Sequence, residues 1–372
     1  PKHFVSLVFP YPDGSGMFGM TSWVDALGRN IIQLGGGIPW SDDSHPFFAD
    51  PQFFFNYINA QHGPLWGINF YYNSLWNFRL YDKSRLIERI NMLQFFTGIP
   101  MNFGNSMSSN HSLQSTVTYK ERTIKDIPYG DWDTDYDRFY YEVREGKLPD
   151  PEEGKELIIS LNYNWLNRRP HAKNVMLPKQ GYGVFAGVDY ASKSLFGDFT
   201  YTRLGTDAFV NLKIVGPGVL FGRLKTQTMF GEPPAQDSLA LTRDPSIYLG
   251  FLVAQESHNP RGWDEVRLGD RLVFGTMEYR IPFIPEFPIN ILGFTFGSTS
   301  LALFSDFAKA WVSGEALQDW VTTAGYEIKI ALQAEKSPIL FFSVGQAQEI
   351  SNWRDEIVPD DWYMRFALIN PF

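Results

Sequence analysis

The final eleven residues of this 372-residue chain, Trp362 to Phe372, read W-Y-M-R-F-A-L-I-N-P-F. Trp362, Met364, Phe366, Leu368 and Phe372 share one parity, interrupted only by Asn370, and Arg365 falls on the other. Side chains along a strand alternate between its faces. As a strand, this segment has one apolar face and one that tolerates a charge, and it stops on an aromatic residue. An amphipathic last strand also suits a soluble sheet, so the rest of the chain decides what the apolar face meets.

The rest repeats the pattern. Reading backwards, period-2 segments recur at 361–372, 338–347, 323–333, 292–308, 270–283, 219–230, 197–212, 180–192 and 156–167. Fainter ones follow at 111–122, 86–99, 64–75, 51–60, 28–38, 17–26 and 4–9. Only Arg85–Phe96 also fits a helix, and its aromatic and β-branched flanks suit a strand. That gives about sixteen strands at roughly 23 residues per strand and connection, the spacing of ~10-residue membrane strands joined by alternating short turns and long loops. In 270–283, Arg271, Val273, Met277, Tyr279, Ile281 and Phe283 share a face with Gly275, while Thr276, Glu278 and Arg280 share the other. In 219–230, Arg223, Lys225 and Gln227 oppose Leu220, Leu224 and Phe230. A soluble sandwich would need a second sheet or helices to cover its apolar faces, and no helices are available. The terminal strand then looks like the closing strand of an outer-membrane barrel.

Composition agrees. Aromatics make up 16%, with 32 Phe, 18 Tyr and 11 Trp, and 32 Gly and 24 Pro supply turns. Mean hydropathy is −0.22, but alternating strands hide from that measure. No run of 18 apolar residues offers a transmembrane helix. A net charge of −9 without a basic stripe argues against nucleic acid. The absence of Cys removes disulfides, Cys–zinc sites and thiol catalysis. No nucleophile elbow, H-E-x-x-H or phosphate loop is present, and the six His are scattered. The chain opens at Pro1 without Met or a signal pattern. The expectation is a removed signal or the C-terminal part of a longer protein.

Two stretches read as long loops, 123–155 and 231–268, within one barrel over 1–372. In the first, Asp131, Asp133, Asp135 and Asp137 alternate with other residues, but EF-hand spacing fails, so it reads as a solvated loop without a metal. The second carries the main motif. Residues 259–283 run N-P-R-G-W-D-E-V-R-L-G-D-R-L-V-F-G-T-M-E-Y-R-I-P-F, placing an R-G-W tip just before the strand with Glu278 and Arg280. Asp306 lies late in L-A-L-F-S-D-F-A-K-A-W at 301–311. A-G-Y-E-I-K-I at 324–330 follows.

This series resembles the BamA-like barrel superfamily, or bacterial surface antigen barrels, whose members insert or translocate proteins at the outer membrane. The family's sixth surface loop carries an Arg-Gly-aromatic tip, matched by Arg261, Gly262 and Trp263. Its next strand carries a Glu-Tyr/x-Arg pattern, matched by Glu278, Tyr279 and Arg280, and the next Phe-x-Asp-x-Gly, matched by Phe304 and Asp306. The match runs through 180–372. W-V-D-A-L-G-R-N at 23–30 and F-F-N-Y-I-N at 54–59 resemble a subgroup with a TolB-like propeller. Pro260 stands where an aliphatic residue is usual, and Ala308 replaces the Gly.

The resemblance implies an all-β, transmembrane antiparallel barrel of about 16 strands in the bacterial outer membrane, its sixth loop folded inward. Its partners would be the lipid bilayer and other envelope or outer-membrane proteins, with no cofactor. Arg261, Gly262 and Trp263 would form a loop latch, with Glu278, Arg280 and Asp306 as lumen partners. Trp362, Phe366, Leu368 and Phe372 would form a C-terminal insertion signal. Physical chemistry supports the latch: a charge folded into a confined lumen needs a partner, and the Arg fork meets carboxylates bidentately. The expected function is assembling or secreting other proteins, without enzyme activity. No POTRA-like docking repeat is read ahead of the strands, which sets the alternative: a passive anchor or plugged barrel in a larger envelope complex.

Overall fold

The computed structural model describes residues 2–10, 16–39, 51–61, 63–79, 85–101, 109–126, 151–171, 174–214, 216–241, 260–263, 267–284, 290–291, 294–314, 319–334, 337–350 and 362–368. The strands β1 (Lys2–Pro10), β2 (Gly16–Val24), β3 (Asn30–Pro39) and β4 (Gln52–Asn59) are 8 to 10 residues long. Longer ones follow: β5 (Leu65–Arg79), β6 (Arg85–Met101), β7 (Ser109–Asp126), β8 (Gly154–His171) and β9 (Asn174–Ala191). Then come β10 (Thr200–Lys213) and β11 (Val219–Glu232). Two three-residue strands, β12 (Leu239–Leu241) and β13 (Arg267–Gly269), pair only with each other. The last six are β14 (Arg271–Ile284), the two-residue β15 (Asn290–Ile291), β16 (Phe294–Trp311), β17 (Val321–Ala334), β18 (Ser337–Glu349) and β19 (Trp362–Leu368).

Among the described residues, setting aside β12, β13 and β15 leaves sixteen strands in one antiparallel meander. Consecutive strands pair from β1 to β11, then β11 with β14, β14 with β16, and onward to β19. The segment Arg85–Phe96, open to helix or strand in sequence, lies in β6. Several strands outrun their alternation. β9 begins at Asn174, not 180, and its ladder with β8 shifts register at Arg169/Pro170. Beyond the bilayer both faces meet water, so pairing continues where the apolar alternation has stopped.

The two faces follow from the pleat. Met277, Leu303 and Ile328 point outward and are exposed, while Glu278, Phe304 and Glu327 beside them are buried inside. Exposed apolar side chains recur along the sheet, among them Leu93, Val117, Leu161, Leu204 and Leu224, and form the surface a bilayer requires. Gly275 stands directly opposite Phe307 on the outer face. A Cβ at 275 would lie 2.0 Å from the Phe307 ring, so the glycine makes room for an aromatic that covers it.

Connections at one end are short, such as 172–173 and 335–336; the other end carries 127–153 and 233–270. Short turns face the periplasm and long loops the outside in such barrels, and 233–270 is the sixth connection on the long-loop end. The strands reach further than the loop bounds read from sequence, with β7 ending at Asp126 and β8 starting at Gly154. Inside the sixth loop lie a 3₁₀ turn, Ala235–Asp237, and the β12–β13 hairpin.

Candidate functional site

The sixth loop turns back at Pro260–Trp263, where the Trp263 amide donates to the Pro260 carbonyl at 3.3 Å. Gly262 sits at φ +79°, and a Cβ there would lie 2.5 Å from the Ala347 Cβ and 3.0 Å from its carbonyl oxygen. Both the left-handed backbone and the close approach to β18 require glycine. Trp263 is buried with Leu239 and Leu241 of the loop against Leu272, Phe274, Ala308, Ala310 and Val321 of the wall. Ala308, which replaces the glycine of the family pattern, is thus part of the apolar seat.

This turn aims Arg261 into the wall formed by β14, β16 and β17, where it is 3% exposed. Its Nε donates to Asp306 Oδ2 at 2.8 Å and its Nη2 to Asp306 Oδ1 at 2.6 Å. The Nη2 also reaches Thr276 Oγ1 at 2.8 Å. Nη1 meets Glu278 Oε1 at 2.9 Å and Glu327 Oε2 at 3.3 Å. All five guanidinium N–H groups therefore have acceptors. The Arg261 backbone N–H also donates to Asp306 Oδ2, at 3.0 Å. The guanidinium carbon lies 3.5 Å from the centre of the Phe304 ring, close enough for stacking with a cation–π component. Phe304 and Asp306 are two residues apart, so one strand face supplies both the ring and the carboxylate.

The wall balances its own charge around this guest. Arg280 Nε donates to Glu278 Oε2 at 2.6 Å and covers the Phe221 ring at 3.6 Å. Lys329 Nζ bridges Glu278 and Glu327 at 3.3 Å each. Three carboxylates and two cations leave the wall one negative charge in excess, and Arg261 supplies the matching positive one. Burying charge is costly without such matching.

The structure brings Arg261, Gly262, Trp263, Glu278, Arg280 and Asp306 to one place. Thr276, Glu327, Lys329 and the stacking role of Phe304 escape the sequence reading. Alternation puts Thr276 and Glu327 on an inner face, but only the register, Thr276 opposite Asp306 and Ala302 opposite Glu327, sets their height. Trp362, Phe366 and Leu368 lie in β19, facing Gln346, Phe342 and Leu340 of β18 in the ladder. Their side chains, Phe372, Asp131–Asp137 and His258 lie outside the described residues.

A sequence profile described as the Omp85 superfamily domain matches residues 46–339. A search of curated proteins finds no match. Among solved structures, BamA from Haemophilus ducreyi lacking POTRA domains 1–3 superposes with a TM-score of 0.58 at 12% identity, covering 97% of this chain and 68% of that one. CdiB from Escherichia coli gives 0.55 at 10% identity over 94% and 58% of the two chains. CdiB from Acinetobacter baumannii gives 0.51 at 11% identity over 95% and 56%. At these identities the likeness is one of fold. The chain spans about two thirds of that BamA chain and under six tenths of either CdiB chain.

Proposed function

This chain belongs to the Omp85 superfamily and is an outer-membrane β-barrel, and from that premise we propose that it assembles, inserts or secretes other proteins at that membrane. The observation that carries the reading is the tip of the sixth loop, seated in the lumen with every guanidinium donor of Arg261 engaged by β14, β16 and β17. A loop held this closely is a part whose position matters. It does not resemble the trimmed lumen of a solute pore.

The route is lateral. The strands β1 and β19 are the first and last of the meander, where such a barrel has its seam. Strand edges exposed at that seam can pair with an incoming strand. The role is one of templating and needs no catalytic group. The partners are other envelope or outer-membrane proteins.

Depletion tests this reading. When synthesis of the protein is shut off in its own cells, the amounts of particular outer-membrane or secreted proteins should fall before growth changes. If every other envelope protein keeps its level, the barrel is an anchor or plugged subunit instead.

A further inference from the structure

The sixth loop has a second charged contact, made with other strands than those that hold its tip. Its 3₁₀ turn, Ala235–Asp237, lies on the inner face of β6, β7, β8 and β10. Asp237 Oδ2 accepts from Arg122 Nη2 of β7 at 2.9 Å. Lys120 Nζ lies 3.7 Å from Asp237 Oδ1, and Arg203 of β10 donates to the Asp237 carbonyl at 3.3 Å. Gln236 beside it donates to Glu88 Oε1 of β6 at 2.6 Å. The same amide pairs with the backbone of Glu152, giving 2.7 Å to its carbonyl and receiving 3.1 Å from its N–H. That joins the sixth loop to the end of the fourth.

Beneath the turn, Arg122 is held by Glu88 and Glu156, and Tyr201 donates to Glu156 Oε2 at 2.8 Å. Arg122, Glu88 and Glu156 are at most 1% exposed. Lys120, Arg122 and Arg203 with Glu88 and Glu156 leave this wall one positive charge in excess, and Asp237 supplies the matching negative one. The tip has the opposite arrangement, an anionic wall receiving a cation. The two sites use different strands, β6, β7, β8 and β10 for Asp237 and Gln236 and β14, β16 and β17 for Arg261.

We propose that the sixth loop is a strap fastened at two points of opposite polarity, and that Asp237 and Gln236 are positioning residues that lock its first limb independently of Arg261. The polarity prevents misdocking: Arg261 brought to the Arg122 wall, or Asp237 to the Asp306 wall, would place like charges together in a desolvated site. The strap also fixes the end of the fourth loop through Gln236. This rests on the loop's geometry and not on any client protein, so it stands or falls separately from the assembly reading.

The chain has no cysteine, so Ser238→Cys gives a single, nearly isosteric thiol next to the lock. Maleimide labelling of the purified barrel in detergent reads release of the limb, and heat-modifiable migration checks folding. All substitutions fall on the loop and spare the wall. Asp237→Glu should label as slowly as the parent. Asp237→Asn should label roughly tenfold faster, and Asp237→Lys faster still, because a buried pair lost or reversed costs more than an exposed one. Arg261→Ala, which frees only the tip, should leave Ser238→Cys slow. Equal rates across the Asp237 series overturn the proposal, as does equally fast labelling of Asp237→Glu and Asp237→Asn. If Arg261→Ala alone accelerates labelling as much as Asp237→Lys, the loop has one fastening and the proposal also falls. Should the Lys variant not fold, the comparison of Glu with Asn decides.

Discussion

Arg261 illustrates why charge alone does not define a latch residue. Its fork spends two donors on Asp306, two on Glu278 and Glu327, and one on Thr276, and its plane stacks on Phe304. Lysine keeps the charge but offers three donors from one point and no plane. Arg261→Lys should therefore impair the protein nearly as much as Arg261→Ala. Removing one partner of a buried pair costs ~3–5 kcal/mol, lessened here by water in the lumen. The check is barrel stability and cell growth on each variant alone. Arg267 is a poor control, because its guanidinium lies 5.1 Å from the Trp263 ring and donates to the Asp319 carbonyl. Exposed Lys213 is a better one. Gly262→Ala tests the neighbouring backbone. It adds the strain of a left-handed residue, about 1–2 kcal/mol, and drives its Cβ onto Ala347. Ala347→Gly should restore part of the loss by removing the contacting methyl; no restoration would assign the cost to backbone strain and the Ala347 carbonyl together. At this scale the sequence reading goes as far as chemistry and parity carry it. Arg261 stands out because an R-G-aromatic tip precedes a strand with an inward carboxylate, Glu278. Glu327 does not, because A-G-Y-E-I-K-I is ordinary alternation until the register puts it beside the fork. Asp237 sits in a turn rich in Pro and small residues, with no local sign that a buried arginine waits 115 positions away.

At the scale of the strand, alternation reveals each element and hides its ends. Inside the bilayer one face must be apolar, so period 2 is enforced over ~10 residues. Beyond it, on either side, no such rule holds, and the extensions of β7, β8 and β9 are invisible to it. The same logic grades substitutions by depth. Leu303 lies midway along β16 on the outer face and is 51% exposed to lipid. Phe283 also points outward but sits at the end of β14. Leu303→Arg should destabilise the barrel by ~2–4 kcal/mol and Phe283→Arg by ~0–1, the depth dependence of charge on a barrel's lipid face. Equilibrium unfolding from lipid vesicles measures both. Equal costs would mean that the bilayer does not centre on the middle of β16.

The molecule as a whole combines a wide barrel with a filled mouth. Its strand count and the positions of its long loops are legible in sequence because each strand announces itself separately. The seating of the sixth loop is not, because it depends on pairs 45 and 115 residues apart. The expectation that β19 carries the signal for the barrel's own insertion has a direct test. Trp362, Met364, Phe366 and Leu368 share one parity of β19, so Phe366→Asp should lower the amount of heat-modifiable protein in the outer membrane, read on gels of membrane fractions. Unchanged levels would place the signal elsewhere. The filled mouth makes a different demand. Sixteen-stranded barrels with an open lumen conduct as aqueous channels, whereas this one holds a strap fixed to β16 at one wall and β7 at another, with Leu239, Leu241 and Trp263 packed between loop and wall. In planar bilayers the parent protein should pass little steady current. Arg261→Ala or Asp237→Lys alone, each leaving one fastening, should give brief openings. The two combined should give long openings of porin size, because neither wall then holds the loop. A double variant as silent as the parent would assign the closure to the apolar seat around Trp263, and Trp263→Ala in that background would then be the change that opens the barrel.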